Sequence, residues 1–357
     1  MDIVQTLYEI PALGLLFQLI GYLIDIVPKI APFILLAATP LVLGGMCGVL
    51  CERSGIVNIG IEGTMLAAAF TGWTVSSAAA GILGIGEAGL FGITPPLVIG
   101  ILAAVGVAML IGALQAWLSI SVLANQIIVG TIVNIAAFGV TGYLYTLISK
   151  TSPPTVGGLR PFVPPDWLTE LPIVGWLFTT FLNQAPITMS VIVIVFAMQL
   201  LLFRSRWGLR TRAVGEHPRA AETVGVHVAR LRYRNVILAG IFAGLAGAYL
   251  SMEATDSFQQ GMTAGRGFIA LAAVIVGRWT PIGAFGAALL FASSQAIGQA
   301  VSFAPPPGQL GEILGGFPGQ LWDALPYIVT VVVLAGVVGR SVPPAADGIP
   351  YEREAAT

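Results

Sequence analysis

The chain has 357 residues, 56% of them hydrophobic and 9% charged, with a formal net charge of −1. Soluble domains carry about 25% charged residues, so a water-soluble core of this size would lack a shell, and disorder and coiled coil are excluded on the same grounds. A net charge near zero also gives no footing for a nucleic-acid partner.

The N-terminus carries Asp2 and Glu9 without an early Lys or Arg, so no signal peptide is expected there. The block 11–27 is either a span or an interfacial helix, ended by Pro28 and Lys29. Spans are expected at 30–50, 61–83, 94–117, 121–148, 186–203, 235–254, 281–301 and 322–339. Between Glu87 and Lys150 lie 62 residues without a charged side chain, room for at least two crossings at about 20 residues each. No ten-residue stretch alternates at period two, which excludes an outer-membrane barrel. Block 266–278 is short and glycine-flanked, as a half-helix entering the membrane would be. The pairs Gly44/Gly48 and Gly240/Gly244 have the spacing that lets helices pack closely in lipid.

Charge distribution sets the orientation. Eight of the sixteen basic residues fall between Arg204 and Arg234, against two acids, Glu216 and Glu222. By the positive-inside rule segment 204–234 is cytoplasmic, which places the Pro-rich loop 150–185 outside. Residues 341–357 read as a loose cytoplasmic tail. Within the basic segment, residues 218–224 read as a two-turn helix opened by Pro218 and closed by Gly225. This is either a solvated loop beside anionic lipid or a docking helix for a cytosolic partner.

Several chemistries are missing. Neither lysine stands in a GxxxxGK[ST] loop, so ATP has no phosphate cradle of that kind. Both histidines, His217 and His227, lie in the basic segment, leaving no base or metal ligand within a span. Cys47 and Cys51 lack further ligands and read as small packing residues. No catalytic residue, metal or cofactor is expected.

The stretch Glu52–Gly63 interrupts two spans with three glycines, an Asn and three ionisable groups. It is either a cytoplasmic turn or a broken helix facing a substrate path. Amides at span positions (Asn58, Gln115, Asn125, Gln126, Asn134, with Ser294 and Gln295) suit a polar, uncharged solute, or else bond helix to helix. Regions 54–63 and 261–278, carrying Glu62 and Gly267, are expected to meet near the middle of the bilayer, as in transporters built from repeats.

Four stretches in order carry a family resemblance. Cys51–Met65 (CERSGIVNIGIEGTM) resembles the SERSGVVNIGLEGMM signature of ABC-importer permeases in the branched-chain amino acid/ribose superfamily, nucleoside and simple-sugar branch. Asn125–Asn134 resembles that branch's fourth-span motif, and Val214–Glu222 its GENPKAAE coupling segment. Gly265–Ala273, followed by Leu325–Ile328, completes the series. Departures are Cys51, His217, Thr223-Val224 and a Pro-rich insert at 304–320.

The apolar blocks are expected to form an all-α, polytopic helical bundle of about eight to ten transmembrane helices, with broken helices and an inverted repeat as one option, and the resemblance implies that this bundle is an inner-membrane permease subunit. Residues 1–340 would form a single permease domain in a prokaryotic plasma membrane. The expected partners are a cytosolic ABC ATPase subunit, a second permease subunit and an extracytoplasmic solute-binding protein. Asn58, Glu62, Asn125, Gln126, Asn134 and Gly267 would line the path of a nucleoside or simple sugar. Gly215, Glu216, Pro218, Arg219, Ala220, Ala221 and Glu222 would couple to the ATPase. The alternative is a proton-coupled secondary transporter using buried acids such as Glu62.

Overall fold

The computed structural model describes residues 11–151, 156–171, 174–303, 305–306, 308–332, 335 and 341–352, and these contain helices but no strand. The helices are α1 Pro11–Glu52, α2 Ile61–Leu83, α3 Pro95–Ala116, α4 Gln126–Ile148, α5 Asp166–Thr169, α6 Gly175–Leu182 and α7 Pro186–Arg204. They continue with α8 Arg206–Glu216, α9 Pro218–Thr223, α10 Val228–Tyr249, α11 Arg266–Val276, α12 Pro281–Phe303, α13 Gln309–Gly315 and α14 Gly319–Val332. Among the described residues seven helices are long and apolar enough to cross a membrane, and α11 is a shorter apolar helix. The expected span 322–339 lies partly outside the described residues.

One expectation is corrected at once. Pro28 and Lys29 do not end a first helix, because α1 runs unbroken through 42 residues. In water a proline in mid-helix costs about 3 kcal/mol, since it removes one hydrogen bond and crowds the preceding turn. Apolar surroundings offer the freed backbone no other partner, so the helix remains the least costly conformation across the break. Lys29 stays exposed and pairs with Asp25 one turn back at 2.7 Å.

The described residues form two compact units. In the smaller (residues 1–38, 163–184 and 289–339), Tyr22, Ile26 and Ile30 repeat every fourth position along α1 and pack on Ala296 and Val301 of α12. Gln184 Nε2 donates to the Pro32 carbonyl at 3.2 Å, tying the end of the 163–184 segment to α1.

The larger unit holds residues 39–162, 185–288 and 340–357. Its helices approach to backbone contact through small residues. A Cβ on Gly240 would lie 2.7 Å from the Ala108 carbonyl oxygen, and one on Gly244 would lie 2.6 Å from Val105 Cα. The second small-residue pair does the same for α11: side chains at Gly44 and Gly48 would meet Ala270 Cβ at 2.9 Å and Val274 Cγ2 at 3.0 Å. Both pairs therefore work as bundle packing. Helices α3 and α10 each end in a widened turn, Trp117–Ser121 and Leu250–Ala254, which changes the direction of the residues that follow.

Candidate functional site

The two interrupted stretches meet inside the larger unit. The first helical amides of α11 have no partner within their own helix and carry its positive end. Glu62, in the first turn of α2, reaches them: its Oε1 accepts from the Gly265 N–H at 2.7 Å and its Oε2 from the Gly267 N–H at 2.6 Å. Only glycine fits at 267, since a Cβ there would stand 2.6 Å from both the backbone nitrogen and Cα of Glu62. A second acid repeats the arrangement. Glu253, in the widened turn after α10, accepts from the Ile187 N–H at 2.9 Å and the Thr188 N–H at 3.0 Å, at the start of α7.

The amides gather around the loop between α1 and α2. Asn134 Oδ1 accepts from the Gly63 N–H at 2.7 Å while its Nδ2 donates to the Ile59 carbonyl at 3.0 Å. Gln126 Oε1 accepts from the Val57 N–H at 2.7 Å, and Gln115 Nε2 donates to the Val57 carbonyl at 3.5 Å. Asn58 is buried with its Nδ2 facing the sulfurs of Cys47 and Cys51 at 3.7 and 3.6 Å. Asn58 Oδ1, Gln115 Oε1 and Gln126 Nε2 are buried without a hydrogen-bond partner. Each such atom costs about 1–3 kcal/mol unless something polar reaches it.

The basic segment folds as α8 and α9. Gly225, at φ +84°, ends α9 in the left-handed turn that glycine accepts most readily. Ala221 is buried against Val214 and Val228, with Tyr351 packed on the cluster. Gly215 lies against the Arg53 backbone, where a Cβ would be 2.2 Å from the Arg53 carbonyl oxygen. Arg53 in turn donates to the carbonyls of Trp279 (2.7 Å) and Arg278 (3.1 Å). Those two residues have φ of +53° and +54°, a conformation that non-glycine residues hold only where surroundings fix it. Burial, ahead of the opposing pull of Glu216, lowers the pKa of the Arg53 guanidinium.

The tail is not loose. The Ala346 N–H donates to the Gly215 carbonyl at 2.8 Å, and the Ala345 N–H donates to Glu216 Oε2 at 3.1 Å. Tyr351 donates its hydroxyl to the Glu222 carboxylate. Arg232, 1% exposed, joins the two loops, donating from Nε to the Ser54 carbonyl at 3.0 Å and from Nη1 to the Ile349 carbonyl at 3.3 Å. The expectation of a loose end fails for residues 341–352 because these backbone contacts leave no trace in composition.

Against this geometry the comparison with known proteins is decisive. Residues 30–334 match the model of the branched-chain amino acid transport system permease component family. This chain belongs to that family.

The permease is 34% identical to the guanosine ABC transporter permease protein NupQ of Bacillus subtilis, over 92% of this chain and 98% of NupQ. It is 33% identical to the nucleoside ABC transporter permease protein NupC of Lactococcus lactis, over 89% and 94% of the two chains. TsgC13 of Haloferax volcanii, provisionally named for glucose, is 33% identical over 85% and 90%. No solved structure matches the chain. The permease is thus the multi-pass membrane component of an ABC transporter, and components of this family are not themselves catalytic. Membership implies ATPase and binding-protein partners in general terms.

The permease fold brings together Glu62 with Gly267, and Gln126 and Asn134 with the loop at 57–63. Asn125 stands apart: exposed, it caps its own helix α4, accepting from the Ile127 and Ile128 N–H groups at 3.0 and 3.3 Å. Ser294 bonds within α12, to the Phe291 carbonyl at 2.7 Å. In the basic segment Ala221 faces inward, whereas Arg219, Ala220 and Val224 are exposed. Sequence reasoning missed Glu253 and Arg232. A lone acid inside an apolar block, and an arginine at an i+2 spacing between two others, were the signals available.

Proposed function

We propose that the permease forms the inner-membrane pathway of an ATP-driven importer for nucleosides, working by alternating access. The observation that carries this is how the polar groups around the two breaks are partnered. The carboxylates of Glu62 and Glu253 are occupied by backbone N–H groups, while the unpartnered atoms of Asn58, Gln115 and Gln126 belong to neutral amides. Neutral amides donate to and accept from hydroxyls and base edges, and an ionic solute would enter without a counter-charge. The names of NupQ and NupC support nucleosides over other neutral solutes.

In this reading Asn58, Glu62, Gln126, Asn134 and Gly267 line or gate the path. Residues 1–340 are the permease domain. Segment 204–234 and residues 341–357 face the cytoplasm, and 150–185 faces the outside. Helix α9 docks the ATPase through Arg219, Ala220 and Val224, backed by Gly215, Glu216, Pro218, Ala221 and Glu222. A second permease subunit completes the membrane unit, and a solute-binding protein delivers the nucleoside from outside.

The test is uptake of labelled guanosine into proteoliposomes holding the permease with its partner ATPase and binding protein. Uptake should require ATP and the binding protein, survive a protonophore, and be competed by other nucleosides. Competition by a charged amino acid would refute a neutral solute, competition by glucose but not nucleosides would refute the nucleoside assignment, and collapse with the protonophore would restore the proton-coupled alternative.

A further inference from the structure

A groove lies between the C-terminal end of α7, the start of α8 and residues 234–242 of α10. Its volume is about 520 Å³, within the range of small-molecule sites. Met198, Leu201, Leu238, Ile241 and Phe242 give it an apolar floor and walls. Arg206, Trp207 and Arg234 stand at its polar end. Both arginines are exposed, and among the described residues neither has a carboxylate at ion-pair distance.

The polar end is built rather than incidental. Trp207 donates from Nε1 to Asn235 Oδ1 at 3.0 Å, and Asn235 Nδ2 donates to Thr211 Oγ1 at 3.1 Å, with Asn235 and Thr211 fully buried. The Arg234 guanidinium lies 5.9 Å over the indole ring so held, which limits the freedom of a long side chain before any ligand arrives. Arg234 also lines a second cavity of about 250 Å³, shared with Arg210, His227 and Arg230. Positive charge therefore continues outward from the apolar groove. Tryptophan and arginine at the end of a span mark the headgroup level of a bilayer.

We propose that this groove binds one anionic phospholipid, its acyl chain along Met198, Leu201, Leu238, Ile241 and Phe242 and its phosphate between Arg206 and Arg234. Apolar lining suits an acyl chain, and paired guanidiniums suit phosphate oxygens bidentately. A basic pocket between helices at the cytoplasmic level is the kind of surface that retains acidic headgroups. Occupied, it would join α7, α8 and α10 at the root of the basic segment.

Native mass spectrometry of the detergent-solubilised transporter complex, titrated with phosphatidylglycerol or with phosphatidylcholine of the same chains, tests this. The complex should retain one phosphatidylglycerol in preference to phosphatidylcholine. The double variant R206Q/R234Q should bind it about 30-fold more weakly, at roughly tenfold per 1.4 kcal/mol and about 1 kcal/mol per arginine. Ile241→Trp, which fills the groove and keeps every charge, should weaken it comparably. Arg204→Gln removes a neighbouring charge outside the groove lining and should leave binding within threefold. Equal retention of phosphatidylcholine, or an equal loss in the Arg204 variant, would reduce the site to ordinary boundary lipid and overturn the proposal. Unchanged lipid binding in Ile241→Trp with a lost protein subunit would instead show a protein–protein seat, and would overturn it too.

Discussion

Replacing Glu62 by Ala removes the one side chain that satisfies two amides at the start of α11. Both bonds are short, 2.7 and 2.6 Å, and the acceptor is a carboxylate at the positive end of a helix. Hydrogen bonds to a charged group are worth about 1.5–3 kcal/mol each, and the helix-end interaction adds about 0.3–1 kcal/mol. The two bonds share one anion and are not additive, so the local loss should be about 3–5 kcal/mol. Hydrogen exchange in nanodiscs reads this directly: the Gly265 and Gly267 amides should exchange at least a hundredfold faster in Glu62→Ala. Glu62→Gln keeps one acceptor oxygen but turns an NH₂ toward the other N–H, so it should fall short of wild type. Gly267→Ala should reach a similar state with the charge intact, because its Cβ would collide with the Glu62 backbone at 2.6 Å. If α11 stays as protected in Glu62→Ala and Gly267→Ala as in wild type, and guanosine uptake is unchanged, Glu62 does not hold the two breaks together.

The other predictions concern the basic segment, the tail and the bundle. Val224→Asp, at an exposed apolar position on the rim of α9, should cut transport-coupled ATP hydrolysis several-fold while membrane insertion is kept; unchanged coupling would move the ATPase seat elsewhere. Ala221→Trp overfills the cluster with Val214 and Val228, should cost about 1–3 kcal/mol, and should uncouple hydrolysis from uptake. Burial, then the nearby Glu52 charge, raises the Asp347 carboxyl from its ordinary value near 4 to about 8, with Arg232 pulling the other way. The docked tail therefore takes up a proton, and its docking should weaken as pH rises from about 4 to 8; limited proteolysis of the tail should show that trend in wild type and lose it in Asp347→Asn. Gly240→Leu would drive a side chain into the α3 backbone, and a thermal unfolding midpoint equal to wild type would refute that packing.

Charge gaps and composition were enough to place the seven spans found among the described residues, because an apolar run of span length has few other uses. The meeting of the two breaks was legible for a similar reason: each pairs a glycine-rich interruption with a polar group that needs a partner at depth. The continuity of α1 across Pro28 was not, since proline statistics come from water, where a broken helix can be solvated. Glu253 was hidden because the widened turn at Leu250–Ala254 aims it at α7, and no periodicity announces such a turn. The amides split as well. Asn134 and Gln126 bridge elements, whereas Asn125 serves its own helix, a distinction that only the fold draws.

The docking of residues 341–352 on the basic segment also fixes an order of events in biosynthesis. Segment 204–234 leaves the ribosome about a hundred residues ahead of the stretch that packs on it. At roughly 5–20 residues per second, that surface exists for several seconds with Ala221 uncovered on its Tyr351 side and Arg232 short of its Ile349 acceptor. On the proposed seat, an ATPase arriving in that interval would meet a different face from the finished one. For the ATPase seat proposed above this sets an order in time: the membrane crossings come first, the closing of the tail next, and a finished docking face last.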